Sequence, residues 1–369
     1  MSFTFAGSSP LAAYGWDETL ENEFTSHRAA GLTPARVAAV DRGLCDVVAE
    51  DGPTRASAPA SSPSSASSAL SGGPVAAPCT GDWAALRAGG PGGRPAVAAL
   101  LPRRTAIVRS SAARDSRGQV LAANVDTVAI AVSLAARPDL GRVERLLALA
   151  WESGARPVVV LTKADRAAGT ADTARSEVAA AAPGVDVVAC SAATGDGVDT
   201  VRAALAGTVV LLGPSGAGKS TLGNALLGED VLATGAVREA DGKGRHTTVR
   251  RELLPLPGGG VLIDTPGLRG VGLFEASQGL ERTFADIEEL AAACRFGDCA
   301  HDTEPGCAVL AAIEDGTLPR RRLGSYRKLL RENAWAAART DDRLRAEREN
   351  RRKEITRWQR RLYRERGDR

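Results

Sequence analysis

Apolar and polar positions divide the chain into three textures. Between residues 31 and 120, short apolar runs alternate with polar and turn residues, as in ARVAAVDRGLCDVVAEDG and DWAALRAGGPGGRPAVAALLPRRTAIVRSS. Short alternating runs bounded by turns predict strands, here a small all-β barrel. The stretch 53–80, PTRASAPASSPSSASSALSGGPVAAPCT, is Ser, Ala and Pro without a period. Such a composition cannot bury a core and predicts a disordered insertion into the barrel. From Val125 the runs become continuous: VDTVAIAVSL, PVVVLTKAD, VDVVACSA, TVVLLGPSG and GGVLIDTPG, several of them separated by helical patterns such as GRVERLLALAWESGA and VDTVRAALAG. Strand and helix in alternation predict a parallel sheet covered by helices, with ligands bound at the carboxyl ends of its strands. Beyond Gly272 the chain turns helical and charged. The expected organisation is an N-terminal extension (1–30), a barrel (31–120) interrupted at 53–80, an α/β domain (121–275) and a helical domain (276–369).

Composition narrows the class. A chain of 369 residues has room for two or three cores, and 44% hydrophobic with 25% charged residues is globular. Aromatics make up only 4%, so Val, Leu, Ile and Ala must fill the interior. The formal charge of +3 hides a basic tail: residues 339–369 hold 13 Lys or Arg against 7 Asp or Glu, a local +6 that leaves the rest at −3. The amino terminus does not read as a secretory signal, and no stretch has 18 uninterrupted apolar residues, so no membrane association and a cytoplasmic location are expected.

The chemistry is carried by the loops that follow the apolar runs. Gly213-Pro214-Ser215-Gly216-Ala217-Gly218-Lys219-Ser220, followed by Thr221, fits G-x4-G-K-[ST] between a strand and a helix. Glycines let successive N–H groups curl toward phosphate oxygens, and the helix N-terminus adds its positive end. Lys219 is then placed for the β and γ phosphates and Ser220 for Mg2+. Asp264-Thr265-Pro266-Gly267 follows the next apolar run. Asp264 suits the second magnesium position, and the Gly267 amide suits the γ-phosphate.

Two further elements select the base. Thr162-Lys163-Ala164-Asp165 closes one strand with the pattern Asn/Thr-Lys-x-Asp. The Asp165 carboxylate can accept from N1 and N2 of guanine, and the Lys163 stem can lie over the ring. Ser191-Ala192, in CSAATGDG, closes the following strand with the loop that GTPases aim at the guanine O6. Together they argue against an ordinary P-loop ATPase. In GTPases the base reader normally comes after the phosphate loop; here it comes first, which reads as a circular permutation.

Downstream, Cys294, Cys299, His301 and Cys307 are spaced C-x4-C-x-H-x5-C. Three thiolates and an imidazole complete a tetrahedral set with no open position, which predicts one structural Zn2+. Cys45, Cys79 and Cys190 read as plain thiols.

These motifs resemble those of the RsgA family, the ribosome small-subunit-dependent GTPases among the circularly permuted bacterial assembly GTPases. KGRHTTVRRELLPLPGGGVLIDTPGLRGVGL is similar to the family's signature region, and DWAAL with LLPRRTAIVR resembles its OB-fold RNA-binding domain. The Ser/Ala/Pro stretch and the first 25 or so residues fall outside the resemblance and read as peripheral additions. The resemblance implies a monomeric enzyme hydrolysing GTP to GDP. It implies binding to the small ribosomal subunit and its rRNA in the GTP state, assistance in late maturation, and departure after subunit-stimulated hydrolysis. It makes Gly244-Arg245-His246-Thr247-Thr248 the first switch, with Thr247 or Thr248 completing the magnesium shell. Leu268 stands where Ras-like enzymes place the water-orienting glutamine, and the resemblance points to His246 for that role. A GTP-regulated switch acting on a different RNA or ribosomal partner is the alternative reading of the same motifs.

Overall fold

A computed structural model of the chain describes residues 10–58, 77–109, 119–167, 169–233, 251–264 and 276–340. Residues His246, Thr247, Thr248 and Gly267, most of the Ser/Ala/Pro stretch and the tail from 341 lie outside the described residues.

Five strands, β1 (Thr33–Asp41), β2 (Leu44–Ala49), β3 (Gly52–Ser57), β4 (Trp83–Arg87) and β5 (Ala96–Leu100), close into a barrel in the order β1-β2-β3-β5-β4. β4 pairs back onto β1, and β3 meets β5 in parallel. This is the five-stranded OB arrangement. Alternate residues point inward, so Ala35, Val37, Cys45, Val47, Ala56, Leu86 and Val97 fill an interior of small side chains.

Two expectations are corrected here. The insertion expected at 53–80 does not begin at 53, because residues 53–57 are barrel strand: Val48 pairs with Pro53, Val47 with Thr54 and Cys45 with Ala56. Nor does it run to 80, since the Cys79 N–H donates to the Asp82 carboxylate at 2.7 Å and Arg103 pairs with that same buried carboxylate at 2.6 Å. The amino-terminal segment is likewise no peripheral addition. Helices α1 (Pro10–Ala13) and α2 (Glu18–Ala29) carry Leu11, Leu20 and Phe24 into a cluster with Val48, Trp83 and Leu101 on the outside of the barrel. Asp17 caps α2 by accepting the Leu20 N–H at 2.8 Å.

A hairpin, β6 (Ala106–Arg109) and β7 (Gln119–Ala123), leads into the α/β unit. Its strands are β8 (Thr127–Ser133), β9 (Arg156–Thr162), β10 (Asp186–Ala189), β11 (Thr208–Leu212), β12 (Glu252–Pro255) and β13 (Val261–Asp264), in the sheet order β10-β9-β8-β11-β13-β12. All pairs are parallel except β12 on β13. Chain order runs one way from β8 to β10 and restarts at β11 on the other side of β8. The switch point of this doubly wound sheet therefore lies between β8 and β11, where a crevice opens at the carboxyl ends. Helices α3 (Leu140–Glu152), α4 (Ala171–Ala181), α5 (Val198–Ala204) and α6 (Lys219–Leu227) cover its faces.

The carboxyl-terminal helices α7 (Ser277–Thr283), α8 (Ala285–Ala292), α9 (Ala308–Glu314) and α10 (Arg320–Thr340) share one apolar core with the sheet: Phe284, Ile287, Val309 and Leu323 join the cluster of Leu147, Val159 and Leu212. Gly279 lets α7 touch the backbone of α3, since a Cβ there would stand 2.0 Å from the Ala148 carbonyl oxygen. Two buried arginines pin the units together. Arg36 of β1 donates to the Tyr14 and Asn124 carbonyls and, at 2.8 Å, to Thr208 Oγ1 at the start of β11, while its guanidinium lies 4.6 Å over Trp83. Burial pulls its pKa down to about 10, still charged near neutrality. Arg322 of α10 does the same for the helical end, bridging Glu144 of α3 and Asp286 of α8.

Candidate functional site

The phosphate loop leaves β11, which is buried at every position. Gly213 has φ 146° and a Cβ there would approach the Ala131 carbonyl oxygen to 2.6 Å, so only glycine lets the chain turn against β8. Gly216 and Gly218 also have positive φ, and α6 begins at Lys219 with no side chain capping it and no acid in its first turn. Its opening N–H groups are left for an anion. Lys219 Nζ donates to the Gly213 and Pro214 carbonyls at 2.8 Å each, folded over the loop it belongs to. Ser220 sits in the first turn of α6, and Asp264 ends β13, the neighbour of β11. A hydroxyl and a carboxylate are the hard oxygen donors a magnesium ion takes.

The guanine-reading elements come to the same crevice. β9 delivers Thr162, Lys163, Ala164 and Asp165, and Cys190 with Ser191 and Ala192 follow the adjacent β10. Thr162 Oγ1, buried, donates to the Ala217 carbonyl at 2.6 Å, and Lys163 Nζ donates to the Gly216 carbonyl at 2.7 Å. Residues more than fifty apart in sequence thus join the base reader to the phosphate loop. Lys163 adopts φ 58°, left-handed backbone that a non-glycine residue holds only where surroundings impose it. The Ser191 hydroxyl, 1% exposed, donates to Asp165 Oδ1 at 2.6 Å, and the Ala164 N–H donates to the Cys190 carbonyl. The carboxylate is therefore held by the second base-reading loop through Oδ1, while Oδ2 stands 3.8 Å from Arg166 Nε.

A profile of the RsgA GTPase family matches residues 100–274. The small ribosomal subunit biogenesis GTPase RsgA of Streptomyces coelicolor is 57% identical over 92% of this chain and 91% of its own length. The chain belongs to the RsgA GTPase family. Two solved structures share the fold: YjeQ from Thermotoga maritima, with a TM-score of 0.59 and 24% identity over 82% of this chain and 98% of that one, and YloQ, described as a circularly permuted GTPase, with a TM-score of 0.56 and 22% identity over 82% and 94%. As an RsgA-family enzyme the protein is a GTP hydrolase, and its sheet order carries the permutation directly.

Cys294, Cys299, His301 and Cys307 bring their donor atoms within 4.8 Å of one another. Cys294 Sγ lies 3.8 Å from Cys307 Sγ, and the two sulfurs lie 3.6 and 3.4 Å from His301 Nδ1. Two thiolates on one tetrahedral zinc, each about 2.3 Å from it, stand about 3.8 Å apart, so the set fits the ion. Among the described residues this is the one such group. The other cysteines are unlike it: burial pushes Cys45 and Cys190 to about 11 and Cys79 to about 12, keeping them protonated.

Sequence reasoning missed Asn224, which lies on α6 four residues beyond Ser220. Its amide clamps Leu232 at both the N–H (2.7 Å) and the carbonyl (3.0 Å), fixing the chain where it leaves the phosphate-loop helix. A buried amide in the otherwise apolar helix pattern STLGNALLG was the available signal.

Proposed function

We propose that the protein binds the small ribosomal subunit in its GTP state, assists late maturation of that subunit and leaves after subunit-stimulated hydrolysis. The supporting observation is the junction of Thr162 and Lys163 with Ala217 and Gly216, which builds one crevice from a base reader and a phosphate loop that are out of their usual order. Turnover measured with and without purified small subunits tests the proposal.

GTP entering the crevice gives Lys219 phosphate oxygens in place of the Gly213 and Pro214 carbonyls, and the backbone of Gly213, Pro214, Ser215, Gly216, Ala217 and Gly218 wraps the β-phosphate. Ser220, Asp264 and a threonine of the first switch, Thr247 or Thr248, would hold Mg2+. Held there, the ion would supply positive charge for the β and γ oxygens. Thr221 continues the phosphate turn, and the Gly267 amide would donate to the γ-phosphate. His246 orients the attacking water. Cys294, Cys299, His301 and Cys307 hold one structural Zn2+.

For the rRNA, OB barrels use the β1–β2 and β4–β5 loops. Here these carry Arg42 and Arg94, both exposed. The basic tail adds phosphate contacts, with Trp358 and Tyr363 able to stack on bases. Among the described residues no helix is long and apolar enough to cross a membrane. We place the protein in the cytoplasm, as a monomer.

Asp165→Asn should weaken the preference for guanine nucleotides by about 10- to 100-fold, the equivalent of roughly 1 to 3 kcal/mol for a group left mispaired beneath the bound base. An amide offers one acceptor oxygen where the carboxylate offers two, and Ser191 already occupies one. Competition of GTP and ATP for the variant measures it; a preference equal to the parent's would contradict the assignment.

A further inference from the structure

The chain from Cys299 to Cys307 has to bring a histidine ring back onto two sulfurs within a few residues. His301 does so with φ 58°, a left-handed backbone that its side chain does not favour. Two neighbours, neither of them a ligand, hold that turn. Glu304 Oε1 accepts the Ala300 N–H at 3.0 Å, and Oε2 accepts the Asp302 and Thr303 N–H groups at 2.7 and 3.0 Å. From the opposite side, Arg327 of α10 donates to the Ala300 carbonyl at 3.0 Å and the His301 carbonyl at 2.6 Å. The carbonyls of the two peptide units flanking His301 are thus held by a guanidinium, and a carboxylate holds the N–H groups of Ala300, Asp302 and Thr303 around it.

Its own backbone N–H, followed by those of Asp302, Ala300 and Thr303, pulls the pKa of the Glu304 carboxyl down to about 2. Pro305 follows it directly and restricts the backbone just before Gly306, whose carbonyl accepts the Arg295 N–H at 3.1 Å.

We propose that Glu304 is the positioning residue of the Cys3His site: it presets the left-handed turn at His301, so that zinc binds to a formed knuckle and not to a loop it must first order. This rests on the zinc reading above. Groups that orient ligands without touching the metal change affinity by about 10- to 100-fold, and the gain comes from not having to order the loop at binding. Arg327 fixes the same turn to α10, which makes the knuckle one body with the helix that docks on the GTPase sheet.

The test uses full-length protein with Glu304→Ala and Glu304→Gln, zinc affinity being read by competition with a chromophoric chelator and site geometry by the visible absorption of the cobalt(II)-substituted protein. Glu304→Ala should bind zinc about 10- to 100-fold more weakly and show altered cobalt bands, while binding a GTP analogue as the parent does. Glu304→Gln should fall between, because its single amide oxygen can serve the N–H groups on only one side of His301. If the alanine variant does not fold, the glutamine variant is read in the same way. A variant that binds zinc as tightly as the parent, with unchanged cobalt bands, would overturn the role of Glu304 and leave the zinc site standing. A parent that binds no zinc would overturn both.

Discussion

Replacing Arg322 by alanine should destabilise the protein by about 3 to 5 kcal/mol, the usual cost of removing one partner from a buried ion pair. Arg322 is 1% exposed and Glu144 is fully buried. The guanidinium donates to Glu144 Oε1 at 3.0 Å, to both Asp286 oxygens at 2.6 and 2.8 Å, and to the Ala181 and Thr283 carbonyls; Phe284 lies beneath it at 4.8 Å. Truncation leaves Glu144 charged in an apolar interior with only Arg321, at the rim, still within reach. Glu144 Oε2 already lacks a partner, so little reserve remains. Because these contacts join α10 to α3, α4, α7 and α8, the loss should appear as a lowered urea midpoint of the whole α/β and helical unit. The double variant Arg322→Met with Glu144→Leu should recover much of it, since an apolar pair of similar size carries no desolvation penalty. A single variant within about 0.5 kcal/mol of the parent, the range of ordinary surface substitutions, would show that the network contributes no net stability.

The largest effect on activity is expected at His246. His246→Ala should keep nucleotide affinity and subunit binding yet lose most of the stimulated turnover, about 10³-fold or more on the scale of a supplied catalytic group. Leu268 follows Gly267 where a water-orienting glutamine would stand, so the water needs another partner. An imidazole, neutral or charged near pH 7, can orient it or stabilise the charge that develops. Among the described residues, the chain before His246 is fixed at Leu232 by Asn224 of the phosphate-loop helix, and the chain after it resumes at Arg251, whose carbonyl accepts from Thr80 Oγ1 beside the barrel at 3.4 Å, and enters β12 of the sheet. Single-turnover hydrolysis with saturating subunits, alongside cosedimentation, separates loss of chemistry from loss of binding. A variant stimulated as strongly as the parent would place the catalytic group elsewhere, on the ribosomal RNA for instance.

Much of the nucleotide crevice was legible because its parts are local. An apolar run such as TVVLL announces a buried strand, and the glycines after it announce a loop that only glycine permits. The parts that escaped are set by partners distant in sequence. GPTRAS looks like the start of a linker, yet it is β3 because β2 offers it a full register, with Pro53 tolerated at the strand's beginning. β12 was missed inside RELLPLPGGG, where a strand of only four residues ends in proline. The amino-terminal helices show few apolar positions, and the cluster with Trp83 that buries Leu20 and Phe24 lies some sixty residues away. Arg36 and Arg322 read as surface charges in any sequence pattern; only the fold reveals that each is buried, with carbonyls and an aromatic face around it.

The most direct measurement is the rate of GTP hydrolysis by the full-length protein, alone and with purified small ribosomal subunits. Alone, without the glutamine, turnover should be slow, on the order of 10⁻⁴ s⁻¹ as for an unassisted GTPase of the Ras type. With small subunits it should rise by about 10³-fold or more, and with large subunits it should not rise. Hydrolysis unchanged by small subunits, or raised equally by large ones, would contradict the account.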